Sequence, residues 1–382
     1  MSRIGFISRG IFYLSMVIGI LSFFVDGNQA AAQKYSTSPA NEPYSMSYAA
    51  GGYDAEGNFL GGTEFLNLTE FNGNLYGGIG YFEDAPDFFP NHPDPASGAQ
   101  IVVLAPSTSL WRQEAVFDQK DASGHFTYQR SNAMGVVQFH SFDSAGNNSG
   151  VRAELLLAGL GVPLAALYAQ MGPGNWVDLN LPSALSEVRS FAVHYNPVAR
   201  TEKLYVGLGT NAVSGAVYSG TYGPLSSGSI IQWDSEPVVS DLPDRVMSMV
   251  DCGGVLFAAA KPSIYWLDDQ TNQFEILYTY PLLNKYDESK FTSGFRALTC
   301  IDDPTQSGKK ELLTGFESTE GAILLVDPST GAVQLQLDTR QFLQEQWGKY
   351  FASSVVDIIP GYTNMPTVST EVGKNWLIGL QA

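Results

Sequence analysis

The chain has 382 residues, 44% of them hydrophobic, 12% aromatic and only 15% charged, with 39 glycines and 20 prolines. That balance excludes a disordered chain and argues for many short strands joined by tight turns rather than long helices. A formal net charge of −18 at pH 7 with no basic patch excludes nucleic acid and anionic membrane surfaces as partners.

Residues 1–32 read as a signal peptide. Arg3 and Arg9 precede an apolar run from Ile11 to Val25, and Ala30, Ala31 and Ala32 supply the small residues that a signal peptidase reads. The run falls short of the roughly 20 residues of a spanning helix, so cleavage is expected, with an uncleaved anchor as the alternative. The mature chain is then secreted or periplasmic, free of the membrane, and one charge more negative through the loss of Arg3 and Arg9 against Asp26. Residues 33–62, rich in Ser, Ala, Pro and Gly, read as a tether whose last part, Tyr53 to Leu60, is a candidate closing strand.

Residues 63–382 read as one β domain of repeated units. The first unit, about Thr63 to Asp118, holds the clearest signal: in Glu70–Tyr81, Asn72-Gly73 supplies the positive φ of a tight hairpin, and Leu75-Tyr76 restarts a strand. A polar loop from Glu83 to Gly98, the apolar strand Gln100–Leu104, a turn and Trp111 complete it. The same order of four strands returns in Met134–Leu179, Val188–Asp234, Val246–Tyr280 and Phe295–Asp338. A last unit offers two strands, Ser354–Ile359 and Asn375–Leu380, which the segment Tyr53–Leu60 would complete unless a C-terminal portion is missing. Thr339–Tyr350 reads as a short amphipathic helix, with Phe342, Leu343 and Trp347 on one face. First strands recur every 50 to 70 residues or so, against a period of about 40 to 50 for propeller blades. The expectation is therefore an all-β, monomeric β-propeller of six blades, within a range of five to seven, each blade four antiparallel strands. Tandem sandwiches are the rival, but they give no reason for each unit to restart with the same pattern.

Two cysteines, Cys252 and Cys300, sit near the starts of consecutive units, and the spacing leaves their pairing open. Two sequons, Asn67-Leu68-Thr69 and Asn147-Asn148-Ser149, matter only in a eukaryotic secretory route.

Two turns resemble the kelch type of blade: Ile264 to Phe274, in which a strand ends at Asp268 before Thr271-Asn272, and the looser Val326-Asp327-Pro328-Ser329-Thr330-Gly331. Leu75-Tyr76-Gly77-Gly78 is similar to the kelch double glycine, which most other units lack. The chain as a whole resembles exported, mostly bacterial propeller proteins of no established activity. That resemblance implies the fold and says little of function. The sequence holds no sialidase-type Asp box, WD40 pairing, EF-hand loop or Gly-x-Ser-x-Gly elbow.

Candidate site residues follow from placing first strands around a channel. His140 and His194 end the first strands of the second and third units, where they would bind a metal or move a proton at one mouth, or else cap their strands. Arg189 and Arg296 align when Val188–Phe191 is laid on Phe295–Leu298. Two guanidinium groups suit a carboxylate or sulfate, as on an acidic sugar; the competing role is a salt bridge to Glu187, Asp251 or Glu70. Glu70 and Asp251 precede matching glycine turns and form a candidate acid pair across the ring. Glu83, Asp84, Asp87 and Asp94 crowd one loop, which reads as solvated surface before it reads as a calcium site. No metal or cofactor is assigned. The expectation is a binding module for a glycan or anionic small molecule; the alternatives are a hydrolase or lyase on polysaccharide or lactone, and a protein-interaction scaffold.

Overall fold

Short runs of alternating apolar and polar residues between glycine turns leave the backbone little choice but the extended ladder. The computed structural model describes residues 47–81, 97–210, 214–223, 228–281, 294–303, 306–317, 321–339, 341, 354–360 and 376–381, and its regular structure is antiparallel strand. The helix expected over Thr339–Tyr350, the signal peptide and the Glu83 loop lie almost wholly outside these residues. Among the described residues no helix is long and apolar enough to cross a membrane.

The first described stretch is a small hairpin, β1 (Gly52–Tyr53) with β2 (Phe59–Leu60). It is pinned rather than loose: the buried Gln100 side chain accepts from the Gly61 N–H at 2.9 Å and donates to the Phe59 carbonyl at 2.8 Å. The tether expected over 33–62 is therefore folded from about Ser47 onward, with Trp111 Nε1 donating to Ser47 Oγ.

Meanders of four strands follow. They are β3 (Glu64–Phe71) to β4 (Asn74–Gly80), β5 (Ala99–Leu104) and β6 (Arg112–Phe117); then β7 (Tyr128–Phe142), β8 (Asn148–Pro163), β9 (Ala166–Gly172) and β10 (Asn175–Asp178); then β11 (Glu187–Asn196), β12 (Thr201–Thr210), β13 (Ser214–Tyr222) and β14 (Ile231–Trp233), with β15 (Val239–Leu242) also on β13. The fourth is β16 (Val246–Cys252), β17 (Val255–Ala260), β18 (Ser263–Asp268) and β19 (Gln273–Thr279), and the fifth β20 (Gly294–Asp302), β21 (Lys310–Glu317), β22 (Ala322–Val326) and β23 (Val333–Asp338). A last pair joins β24 (Ser354–Pro360) to β25 (Trp376–Gln381). The Asn72-Gly73 turn forms as its dipeptide requires, with φ of 51° and 75°.

By contact density the described residues fall into a larger unit, within Ile20–Val246 and Asp268–Phe274, and a smaller one, within Met247–Leu267 and Glu275–Ala382. In the larger unit the three meanders form one 13-stranded sheet by name, but single residue pairs alone join them: Gly80 with Arg130, and Gly161 with Glu187. The second meander is buried on both faces. Leu156, Ala158 and Leu160 pack with Ile101 and Val103 of the first, while Leu155 and Leu157 pack with Val188, Leu204 and Val206 of the third. That explains why β8 reads as an unbroken apolar run rather than an alternation. In the smaller unit Phe257, Ile264, Phe295, Leu312 and Phe316 make the equivalent core, and Cys252 is disulfide-bonded to Cys300 with α-carbons 5.2 Å apart. The first strands of two separate sheets, β16 and β20, bring the two cysteines within bonding reach.

A close approach recurs in the larger unit. β4, β8 and β12 each carry Gly-x-Gly at or near their ends: Gly78-Ile79-Gly80, Gly159-Leu160-Gly161 and Gly207-Leu208-Gly209. A β-carbon on the last glycine would strike a residue further along the chain: the Arg130 backbone at Gly80, Glu187 Cβ 2.6 Å away at Gly161, and Arg245 Cα 2.7 Å away at Gly209. Only glycine lets the backbones meet there.

Hairpin turns are capped by carboxylates. Asp143 accepts from the Ala145 and Asn147 N–H groups at 2.8 and 2.9 Å, Asp268 from Gln270 N–H at 2.8 Å, and Asp327 from Ser329 N–H at 2.9 Å. The same bonds hold these acids below the ordinary aspartate range: Asp327 through the Ser329 hydroxyl and then Lys309, Asp143 through the Asn147 amide, Asp268 through the Gln270 N–H. The unfolded chain thus binds more protons than the folded one in acid, and stability rises with pH across that window. The thermal midpoint is expected to be highest above the ordinary aspartate pKa and to fall progressively below about pH 5. Titrating the melt by circular dichroism checks this, and a midpoint that climbs on acidification contradicts it.

Candidate functional site

The C-terminal end of β7, the start of β8 and facing parts of β12 and β13 enclose a cleft of about 350 Å³ in the larger unit, lined by Phe139, His140, Phe142, Arg152, Glu202 and Tyr222 among others. Alternation along β7 sends Phe139 into the core, 1% exposed, and leaves His140 half-buried at the cleft. Glu202 engages that residue twice: Oε1 lies 2.8 Å from His140 Nδ1, and Oε2 accepts the His140 backbone N–H at 2.6 Å. Aromatic pairs stiffen the walls. Phe139 stacks on Tyr222 with centroids 4.7 Å apart, and Phe142 stacks on Tyr195 at 3.9 Å. The exposed Arg152 guanidinium lies 5.0 Å from the Tyr222 ring centroid.

His194 takes the matching place, third from the end of β11 as His140 is of β7, but its setting differs. Its side chain is fully buried, with Nε2 3.0 Å from Asp269 Oδ1. Asn196 Nδ2 donates to the Asp269 carbonyl at 3.0 Å, so the two residues together clamp the Asp269 turn. Burial pushes the neighbouring Tyr205 hydroxyl above the ordinary phenol range, and Asp269 and Asp234 add to it. The two histidines therefore do not share a site, and among the described residues no three His, Cys, Asp or Glu side chains converge as metal ligands.

Arg189 and Arg296 each follow the second ladder pair of their strands but differ in pairing. Arg189 is bulged out of the ladder between Val188 and Ser190, and Arg296 opposes Gly315 immediately before the bulge of β20. In the larger unit the arginine is committed to its own chain: Arg189 Nη2 lies 2.8 Å from Oε2 of the fully buried Glu187. Glu187 also accepts from Asn132 Nδ2 at 2.9 Å and pairs with Arg245 Nη1 at 3.4 Å. Of the two roles weighed for Arg189, the structure realises the ion pair to Glu187. Arg296 is half-buried in the smaller unit, where its carbonyl accepts from Thr314 Oγ1 at 2.8 Å. Glu70 and Asp251 each cap their own hairpin, accepting from Gly73 N–H at 2.8 Å and Gly254 N–H at 3.0 Å.

Arg152, Glu202 and Tyr222 escaped sequence reading. Each sits in an ordinary alternating strand with no motif around it; the one available signal was their place at the ends of strands adjoining His140.

Fold and cleft together define an all-β protein of tandem antiparallel meanders with a polar, aromatic-walled recess. No protein-family model matches the chain, and no curated protein does. Among solved structures it is similar to the extracellular domain of a protein described as a hybrid two-component system from B. thetaiotaomicron, with 11% identity and a TM-score of 0.44 over 81% of this chain and 30% of that one. It is also similar to a protein described as an exo-beta-1,3-galactanase from Bifidobacterium bifidum s17, with 9% identity and a TM-score of 0.33 over 75% of this chain and 95% of that one. The chain thus spans less than a third of the length of the first.

Proposed function

We propose that the protein is an exported, monomeric, kelch-like β-propeller of six blades that binds a carbohydrate or an anionic small molecule. The propeller reading is supported by the four-stranded meanders, by the glycine contact repeated at their junctions and by a meander buried on both faces. For function, the carrying observation is the cleft that joins aromatic walls to the His140–Glu202 pair and Arg152. Ligand pockets combine apolar walls with a few placed polar groups, and its volume lies at the lower end of their usual range. Sugar hydroxyls are donors and acceptors at once, which suits an imidazole locked to a carboxylate.

Screening on a glycan array followed by titration calorimetry is expected to find a ligand whose affinity drops at least tenfold in the His140→Ala/Phe142→Ala double variant. A ligand held equally by wild type and variant would move recognition out of the cleft. The His140–Glu202 contact also favours a second reading, a hydrolase or lyase acting on polysaccharide or lactone, because a carboxylate that orients an imidazole equips it as a general base. Release of new reducing ends or a ring-opened acid from the bound ligand would decide for it.

A further inference from the structure

Resting on the reading of the cleft as a binding site, the partner state of the arginines carries that reading further. Arg112 lies 3.3 Å from a Glu114 oxygen, Arg189 sits on Glu187, and Arg245 sits between Glu187 and Asp244. Arg152 differs: among the described residues it has no carboxylate partner, and its contact is the Tyr222 ring. A ring holds the cation without using any of its five N–H donors. A positive, ring-held guanidinium with its donors uncommitted therefore lines a recess of about 350 Å³. Glu202, the cleft's acid, has both its oxygens engaged by His140.

From this we infer that the cleft selects a sugar bearing a carboxylate, a uronic acid within an oligosaccharide, with the carboxylate on Arg152 and a neighbouring hydroxyl at the His140–Glu202 pair. Charge type follows from Arg152. Geometry favours carboxylate over sulfate: one planar fork satisfies both oxygens of a carboxylate at once, whereas a tetrahedral sulfate presents a third oxygen that needs another donor. The acidity of the chain does not oppose this, since fields of distant surface charge are screened within about 8 Å at physiological ionic strength. In a chain of net charge −18, selectivity for an anion has to be local.

The test is calorimetric titration of the full mature chain with oligogalacturonate, with neutral galactan oligosaccharides of the same length, and with their sulfated forms. Wild type is expected to bind oligogalacturonate at least tenfold more tightly than the neutral and sulfated probes. Arg152→Gln should erase that preference, bringing acidic and neutral probes to equal affinity, and Arg152→Lys, which keeps the charge and loses the fork, should restore only part of it. Arg152 is exposed, so circular dichroism should show all variants folded. Equal binding of acidic and neutral probes, both weakened by His140→Ala/Phe142→Ala, would overturn this inference and leave the binding site standing. A preference for the sulfated probe, or an acidic preference that survives Arg152→Gln, would also overturn it. Binding of none of the probes would overturn it as well.

Discussion

Glu187→Ala is expected to destabilise the protein by about 3 to 5 kcal/mol, the usual cost of removing one partner from a buried ion pair. The carboxylate is fully buried and is shared by Arg189, Arg245 and the Asn132 amide. Its loss takes from Arg189 the carboxylate at 2.8 Å and from Arg245 one of its two, in a poorly hydrated site. The side chains of Arg189 and Arg245 are only 12% and 14% exposed, so water cannot readily replace the carboxylate. Arg189→Ala should cost distinctly less, because Glu187 keeps Arg245 and Asn132. Urea denaturation checks both variants. A cost below about 1 kcal/mol for Glu187→Ala, typical of surface pairs, or the reverse order of the two variants, would mean that the network is wetter and looser than its geometry implies.

Gly209→Ala is expected to cost about 3 kcal/mol, at the upper end of overpacking substitutions. The new methyl would lie 2.7 Å from Arg245 Cα and 2.5 Å from its Cβ, atoms that cannot swing aside without moving the Arg245 backbone. Any such movement also drags Arg245 off Glu187, so the two predictions are coupled, and their energies should not add in the double variant. Gly135→Ala is the control: a β-carbon there meets only the Phe191 ring, at 3.4 Å, and φ is not positive, so the change should fall within about 1 kcal/mol of wild type in either direction. If Gly209→Ala proved as mild as Gly135→Ala, the approach of Gly209 to Arg245 would be looser than its geometry implies.

Strand placement was legible where the signal is local. Asn72-Gly73 forms the turn it names, and Gln100–Leu104 and Asn175–Val177 fall on β5 and β10. The second meander begins earlier than the apolar pattern implied, at Tyr128 rather than Met134. Tyr128-Gln129-Arg130-Ser131-Asn132 lies ahead of the expected second unit, yet it is strand: Arg130 opposes Gly80 and Gly161, and Asn132 binds Glu187. Polar residues can open a buried strand when glycines across the ladder make room and a carboxylate 55 residues away supplies the partner.

Composition and period therefore settled what is local here: an all-β chain, its acidic surface, its turns and the order of strands within each meander. They settled it because alternation and turn chemistry act between residues a few positions apart. Tertiary structure alone decided that His140 lines a cleft while His194 is buried, that Arg189 serves Glu187 while Arg152 keeps its donors uncommitted, and that Cys252 meets Cys300. A side chain's periodicity reports which face it occupies, whereas its partner is set by whichever strand packs against that face. For His140 that strand carries Glu202, 62 residues further on.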